Sequence, residues 1–200
     1  MPMESSAQFF LDWAKERMDE MDAIVASLKV KAAEMQAESR VKADQFLADL
    51  RKMREEFERT VKTHAKASEA VWEATRAQLE TQWKNFEAEV KKYFETFGKD
   101  AKQQQAVFEG QVSAQMNAWR ETANKIQTAA ADFATERRKD IDDTVARMKA
   151  DAAAADERLQ KLARAGTESW TVLSAALAET RGVFDRANHA AREAFKRAAH

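Results

Sequence analysis

The side chains that most often bind metal ions or transfer protons are sparse in this chain. Its three histidines, His64, His189 and His200, each lack an acidic residue three positions earlier, so the Glu-x-x-His pairs of a di-iron bundle are missing. The sequence has no cysteine, no glycine-rich phosphate loop, no Gly-x-Ser-x-Gly elbow and no His-Glu-x-x-His helix. We therefore expect no catalytic residue, no metal and no cofactor.

The densest acidic group, Asp140, Asp142 and Asp143, resembles a calcium loop only in composition. A calcium loop needs a glycine turn, and on a helix these carboxylates would spread around the axis. The group is therefore more typical of a solvated helix face. No small-molecule substrate is evident, and we expect that the protein is not an enzyme. An enzyme built on a helical bundle would need a buried pair of carboxylates, which the spacing does not locate.

A basic face near the C-terminus is one candidate contact surface. It comprises Arg181, Arg186, Arg192, Lys196 and Arg197. These side chains could contact an anionic membrane or phosphates. The interpretation that we favour is that this segment packs on the acidic N-terminal end of the chain. Nucleic acid is not an expected partner, because the formal net charge is −1 and no basic stripe occurs elsewhere.

Aromatic residues supply a second candidate surface. Phe9, Phe10 and Trp13 could insert into a surface, or they could form a hydrophobic staple at the end of a bundle. Four further tryptophans lie at apolar positions of the helical pattern, where a role in the core is more typical than a ligand box: Trp72, Trp83, Trp119 and Trp170.

The composition predicts that helices position all of these residues. Ala, Glu, Lys, Arg and Leu make up roughly half of the chain, as in coiled coils. One proline and four glycines are too few turn residues for a sheet of several strands, so the predicted fold is all-α. We find no long apolar stretch and no signal peptide, and the expected localisation is cytoplasmic, with association to a granule or membrane surface as the alternative.

Apolar residues recur in alternating steps of three and four, which is a heptad pattern. Gly98 gives the best stop signal, Asp100 can cap the following helix, and Gly166 marks a second stop. Gly110 is an alternative start for the helix after Gly98. We predict one elongated helical domain over 1–200, with an arm at 6–97, a turn at about 98–105, an arm at 106–165 and a C-terminal helix at 167–199.

These boundaries predict a long antiparallel helical hairpin, or coiled coil, with arms of about 140 Å at 1.5 Å per residue. The heptads are disturbed at 57–72 and at 133–141, which would face each other in such a hairpin. These positions mark either matched changes of supercoil or breaks in the arms.

The sequence has 11 Phe, 5 Trp and 8 Met, more large apolar side chains than a two-helix seam buries. A third helix in the same chain, a four-helix bundle formed by dimerisation, or a lipid or polymer surface could bury the surplus.

The segment Phe133-Ala134-Thr135-Glu136-Arg137-Arg138-Lys139-Asp140-Ile141 lies in an alanine-rich, nearly proline-free helical chain. In composition and amphipathic periodicity this chain resembles the bacterial phasins, which coat polyhydroxyalkanoate granules, and the exchangeable apolipoproteins. The resemblance implies oligomers, a cytoplasmic location and adsorption to a hydrophobic surface. It transfers no individual residue, because no short motif carries it.

Two functional hypotheses follow from this pattern. The first is a non-enzymatic coiled-coil scaffold or interaction protein that self-associates through long amphipathic helices, with a homodimer as the first expectation. The second is a phasin-like or apolipoprotein-like protein that coats a lipid or polymer surface.

Overall fold

Six long helices make up nearly all of the chain. The structure, a computed structural model, describes residues 2–98 and 100–200. Its helices are α1 (Pro2–Ala33), α2 (Ala37–His64), α3 (Glu69–Phe97), α4 (Ala101–Ala130), α5 (Thr135–Ala165) and α6 (Trp170–Ala199). No strand occurs within these two ranges. The all-α prediction is confirmed, and the helices form a bundle.

The predicted arms are not continuous, which corrects the two-arm hairpin. The arm at 6–97 is divided into three helices, and the arm at 106–165 into two. Two of the turns, at 65–68 and 131–134, lie within or beside the disturbed heptads. The disturbances therefore mark turns between helices and not changes of supercoil. The turn at 34–36 has no counterpart in the sequence-based prediction.

Apolar residues within two of the turns explain why apolar side chains continue to recur across them. Met35, in the first turn, and Phe133, in the fourth, pack against the core. The ring of Phe133 lies edge-on to that of Phe195, with 5.6 Å between centroids. At the end of α2 the indole of Trp72 donates to the carbonyl of His64 at 2.9 Å. Because side chains cover the helix ends, these turns need neither glycine nor proline.

The breaks predicted at glycine are confirmed. Gly98 has φ 145° and Gly166 has φ 64°, and each follows the last residue of a helix. Asp100 caps α4, since its carboxylate accepts from the backbone N–H of Lys102 at 3.0 Å. Lys99, between these two signals, lies outside the described residues.

Gly110 does not begin a helix, contrary to the alternative start, because α4 already begins at Ala101. It lies where α4 packs on α1. A Cβ at this position would be 3.1 Å from Ser27 Oγ and 3.7 Å from Ala23 Cβ. The missing side chain lets the two helices approach closely.

Successive helices alternate in direction and form two three-helix units, α1–α3 and α4–α6. The units meet where α1 runs antiparallel to both α4 and α6. Pairs such as Lys15 with Glu121 and Arg17 with Asp185 set this direction. Further along, α6 also runs antiparallel to α3. The most extensive helix–helix contact in the molecule is that between α1 and α4.

Each unit has its own apolar core. One core lies within α1–α3 and takes in Val107 of α4 and the half-buried Trp170 of α6, whereas the cores of α4–α6 take in Phe9 of α1. The largest fully buried side chains include Trp119, Tyr93 and Phe57. The aromatic side chains in excess of what a two-helix seam buries suggested a dimer or a lipid or polymer surface. They are buried within a single chain instead.

Two glycines should respond in opposite directions to alanine. Gly166→Ala places a Cβ in a left-handed conformation and should lower the free energy of unfolding by about 1–2 kcal/mol. Gly182→Ala, inside α6, meets only the flexible end of Arg186 at 3.5 Å and should raise it by about 0.5–1 kcal/mol. Urea unfolding measures both. Equal effects of the two substitutions would contradict the assigned helix boundary at Gly166.

Candidate functional site

A cluster of buried charged and amide side chains lies where the two units meet. Glu16, Arg17 and Glu20 come from α1, Gln111 and Gln115 from α4, and Arg181 and Asp185 from α6. All except Asp185 are less than 7% exposed. Charges are rarely buried unless they are paired, so this cluster is the most distinctive polar feature of the bundle.

Glu20 is the centre of the cluster. Arg181 binds it in a bidentate manner, with Nε 2.8 Å from Oε2 and Nη2 2.8 Å from Oε1. The side-chain amides of Gln111 and Gln115 each donate to Oε1 at 3.1 Å. The guanidinium of Arg181 also lies over the ring of Trp83, 4.4 Å from its centroid. Glu20 therefore has donors from two helices of the other unit.

Arg17 forms the second half of the cluster. Its guanidinium binds both carboxylate oxygens of Asp185, at 2.7 and 2.5 Å, and donates to Glu16 Oε2 at 3.1 Å. It also lies over Trp13, 4.3 Å from the ring centroid. The other carboxyl oxygen of Glu16, Oε1, accepts no hydrogen bond within the described part of the chain.

The two glutamates of α1 have opposite pKa shifts. Burial, followed by the negative charge of Glu20, raises the pKa of Glu16 well above the ordinary carboxyl value. Burial would also raise the pKa of Glu20, but the charges of Arg181 and Arg17 and the hydrogen bonds to Glu20 together outweigh it and lower the pKa to about 2. The raised pKa favours the protonated, neutral form of Glu16. The cluster is then neutral, with two arginines against Glu20 and Asp185.

The sequence-based prediction missed this pair of buried carboxylates. Glu16 and Glu20 are four residues apart, on the face of α1 that also carries Trp13 and Ile24, so acidic residues interrupt an apolar stripe. That interruption was the available signal. In the closed bundle both carboxyls are enclosed by side chains and bind arginines, which is the geometry of an ion cluster that joins helices.

The three aromatic residues proposed to insert into a surface are buried. Phe9, Phe10 and Trp13 are 6%, 7% and 2% exposed. Phe9 packs edge-on against Phe195 at 5.5 Å, and Phe10 stacks on Trp72 at 5.9 Å. They form core at the end of the bundle because α3 and α6 cover this face of α1. The exposed insertion element is therefore corrected to a buried one.

The predicted basic face is divided among several acidic partners. Arg181 is buried against Glu20, as expected if the segment packs on the N-terminal helix. Arg192 and Lys196 pair with Glu69 of α3, and Arg197 pairs with Asp140 of α5. Arg186 is exposed. The five side chains do not form one continuous contact surface in this structure.

Most tryptophans are core residues, as predicted. Trp72, Trp83 and Trp119 are buried, whereas Trp170 at the start of α6 is half-buried. Among the side chains described, those of residues 6–98 and 100–200, no three His, Asp or Glu are grouped so that they could hold a metal ion. None of the helices described is both long enough and apolar enough to cross a membrane.

Comparison of the chain with protein-family models, with curated proteins and with solved structures finds no match.

Proposed function

We propose that this protein coats apolar lipid or polymer surfaces by parting its two three-helix units, without enzymatic chemistry. The supporting observation is the division of the apolar core. Each unit has a core of its own, while the ion cluster of Glu20, Arg181 and their neighbours occupies the junction. Charged groups at a junction are hydrated when it opens, which offsets part of the cost of separating the helices.

The opened units would present faces suited to adsorption. Each helix is about 45 Å long at 1.5 Å per residue and has its apolar residues on one side. An amphipathic helix binds a surface by burying that side at the interface while its charged side remains in water. Phe9, Phe10 and Trp13, which are buried in the closed bundle, would then contact the surface. Association with a granule or membrane surface follows from this proposal.

The competing proposal is a scaffold that self-associates, with a dimer as its first form. A stable apolar interface needs a contiguous exposed patch. In the described parts of the chain the exposed large apolar side chains are Val30, Val41, Val71 and Val172, on four different helices. The closed bundle thus gives this proposal less support than surface coating.

A disulfide across the junction tests the coating proposal. Ala23→Cys with Gly110→Cys joins α1 to α4 at a Cβ–Cβ distance of 3.7 Å, which is within the usual range for a disulfide. We expect the reduced double variant to adsorb to phosphatidylcholine-coated triolein droplets or to polyhydroxybutyrate particles. The oxidised form should adsorb at least about tenfold less, because the units cannot part. Flotation or sedimentation of bound protein measures adsorption on the two surfaces separately.

The wild-type chain is the matched control, because it has no cysteine and should not respond to oxidant or reductant. Equal adsorption of the oxidised and reduced forms would show that opening at this junction is not required. A dimer in light scattering that binds neither surface would support the scaffold instead.

A further inference from the structure

A cavity of about 270 Å³ opens at the surface between α3 and α6, beside the ion cluster. Ile24 of α1 and Gln111 of α4 line it together with residues of α3 and α6. Its volume is close to the lower end of the roughly 300–1,000 Å³ typical of small-molecule sites. The cavity is therefore large enough to hold a small ligand, and the coating proposal does not use it.

The inner wall of the cavity is apolar. Ile24, Val90 and Leu177 line it and are each 1% exposed, and the half-buried ring of Trp170 lies at the same site. These side chains come from three helices, so the wall is part of the packed bundle. Such a wall favours an aliphatic group over water.

The rim of the cavity is basic. Lys84 and Lys91 are exposed and lie two turns apart on the same side of α3. Neither forms an ion pair or a side-chain hydrogen bond with any residue the structure describes, so both ammonium groups can bind a ligand. Glu87 lies between them on α3, is half-buried and also lines the cavity.

One residue that lines the cavity, Gln111, has a buried polar atom without a partner. Glu20 can only accept hydrogen bonds, so the nitrogen of the Gln111 amide faces Glu20 and its oxygen is fixed on the other side. That oxygen has no partner within the described residues. The lining of the cavity thus combines apolar side chains with polar ones, as in sites that bind amphiphilic molecules.

We propose that this cavity binds a medium-chain aliphatic carboxylate, with its carboxylate at Lys84 and Lys91 and its chain against Ile24, Val90 and Leu177. At about 30 Å³ for each water-sized group, the volume holds about nine such groups, which corresponds to an acid of about eight carbons. The two ammonium groups supply charge-assisted hydrogen bonds, and the apolar wall gains from burying methylene groups.

Calorimetric titration of the full chain with sodium octanoate, below its micelle-forming concentration, tests the site. We expect saturable binding of one octanoate per chain and at least about tenfold weaker binding of butyrate, which leaves the apolar wall uncovered. Octylammonium should bind at least about tenfold more weakly, because its charge is repelled by the lysines. Equal binding of octanoate and octylammonium would overturn the proposal, as would a titration without saturation.

Two variants locate the binding. Lys84→Gln with Lys91→Gln should weaken octanoate binding at least about tenfold, whereas Lys52→Gln with Lys66→Gln, which removes two exposed lysines elsewhere, should not. Ser174→Trp, which fills the cavity from α6, should also weaken binding. Circular dichroism checks the fold of each variant. Unchanged binding in the folded Lys84/Lys91 variant would refute the site, whatever the outcome for Ser174→Trp.

Discussion

Replacement of Arg181 by methionine is expected to lower the free energy of unfolding by about 3–5 kcal/mol at pH 7, because Glu20 would remain buried without its bidentate partner. Methionine keeps much of the apolar stem and removes the charge. Part of the loss should be recovered as the pH is lowered towards 5, since proton uptake can neutralise the orphaned carboxylate. Urea unfolding monitored by circular dichroism at several pH values measures both effects.

Arg186→Met provides the matched control for this experiment. Arg186 lies five residues further along α6 and is exposed, so its replacement should change stability by less than about 0.5 kcal/mol. If Arg181→Met were as mild as Arg186→Met, the ion cluster could not be buried as described. Arg181→Lys should give an intermediate loss, because lysine keeps the charge but not the bidentate geometry.

Glu16→Gln is expected to raise the free energy of unfolding at pH 7. The folded-state pKa of Glu16 is raised, so folding takes up a proton at any pH between the ordinary value of 4.5 and the raised value. The stability that Glu16 contributes through this proton uptake is complete below pH 4.5. It is lost as the pH rises from 4.5 to the raised pKa, by about 1.4 kcal/mol for each pH unit. Glutamine mimics the protonated acid and removes this pH dependence.

The pH dependence that Glu20 contributes to the free energy of unfolding has the opposite sign from that of Glu16. The pKa of Glu20 is lowered to about 2, so its contribution is present above pH 4.5 and is lost as the pH falls towards 2. The other charged groups around the pair are Arg17 on α1, Arg181 and Asp185 on α6, and the half-buried Glu87 on α3. The free energy of unfolding, measured as a function of pH for the wild type and for Glu16→Gln, separates the contributions of Glu16 and Glu20. A wild-type curve with no decline above pH 4.5 would contradict the assignment for Glu16.

The double variant Glu16→Gln with Glu20→Gln tests whether the two residues share one negative charge. In Glu20→Gln alone, Glu16 can ionise and pair with the arginines. The double variant leaves Arg181 buried without a carboxylate, and its loss should exceed the sum of the single effects by more than about 1 kcal/mol. Additive effects would show that the glutamates are independent. Glu56→Gln, an exposed change on α2, controls for the loss of a carboxylate.

Much of the helical structure could be predicted from local signals. Gly98 and Gly166 are placed correctly because a left-handed residue after a helix is a local requirement. The turns at 34–36, 65–68 and 131–134 could not be located in this way. Met35 and Phe133 bury their side chains within the turns, so the apolar pattern continues while the backbone reverses.

The ion cluster was less predictable than the helices, because it depends on which helices become neighbours. In the sequence, Arg181 belongs to a basic face. It binds Glu20, which is 161 residues away in sequence, only because α6 lies along α1. Burial of Phe9, Phe10 and Trp13 likewise depends on α3 and α6 covering them. Amphipathic periodicity shows which face of a helix is apolar, but not which partner covers it.

The distance in sequence between Glu20 and Arg181 also sets an order for folding during synthesis. Hairpins of neighbouring helices, such as α2 with α3, involve short loop closures and can form early. The amides of Gln111 and Gln115 on α4 are available to Glu20 early, but its arginine partner is available only after α6 has been synthesised. In a nascent chain that ends before Arg181, Glu20 should therefore be held by the two glutamines alone, and α1 should be more sensitive to protease than in the full chain.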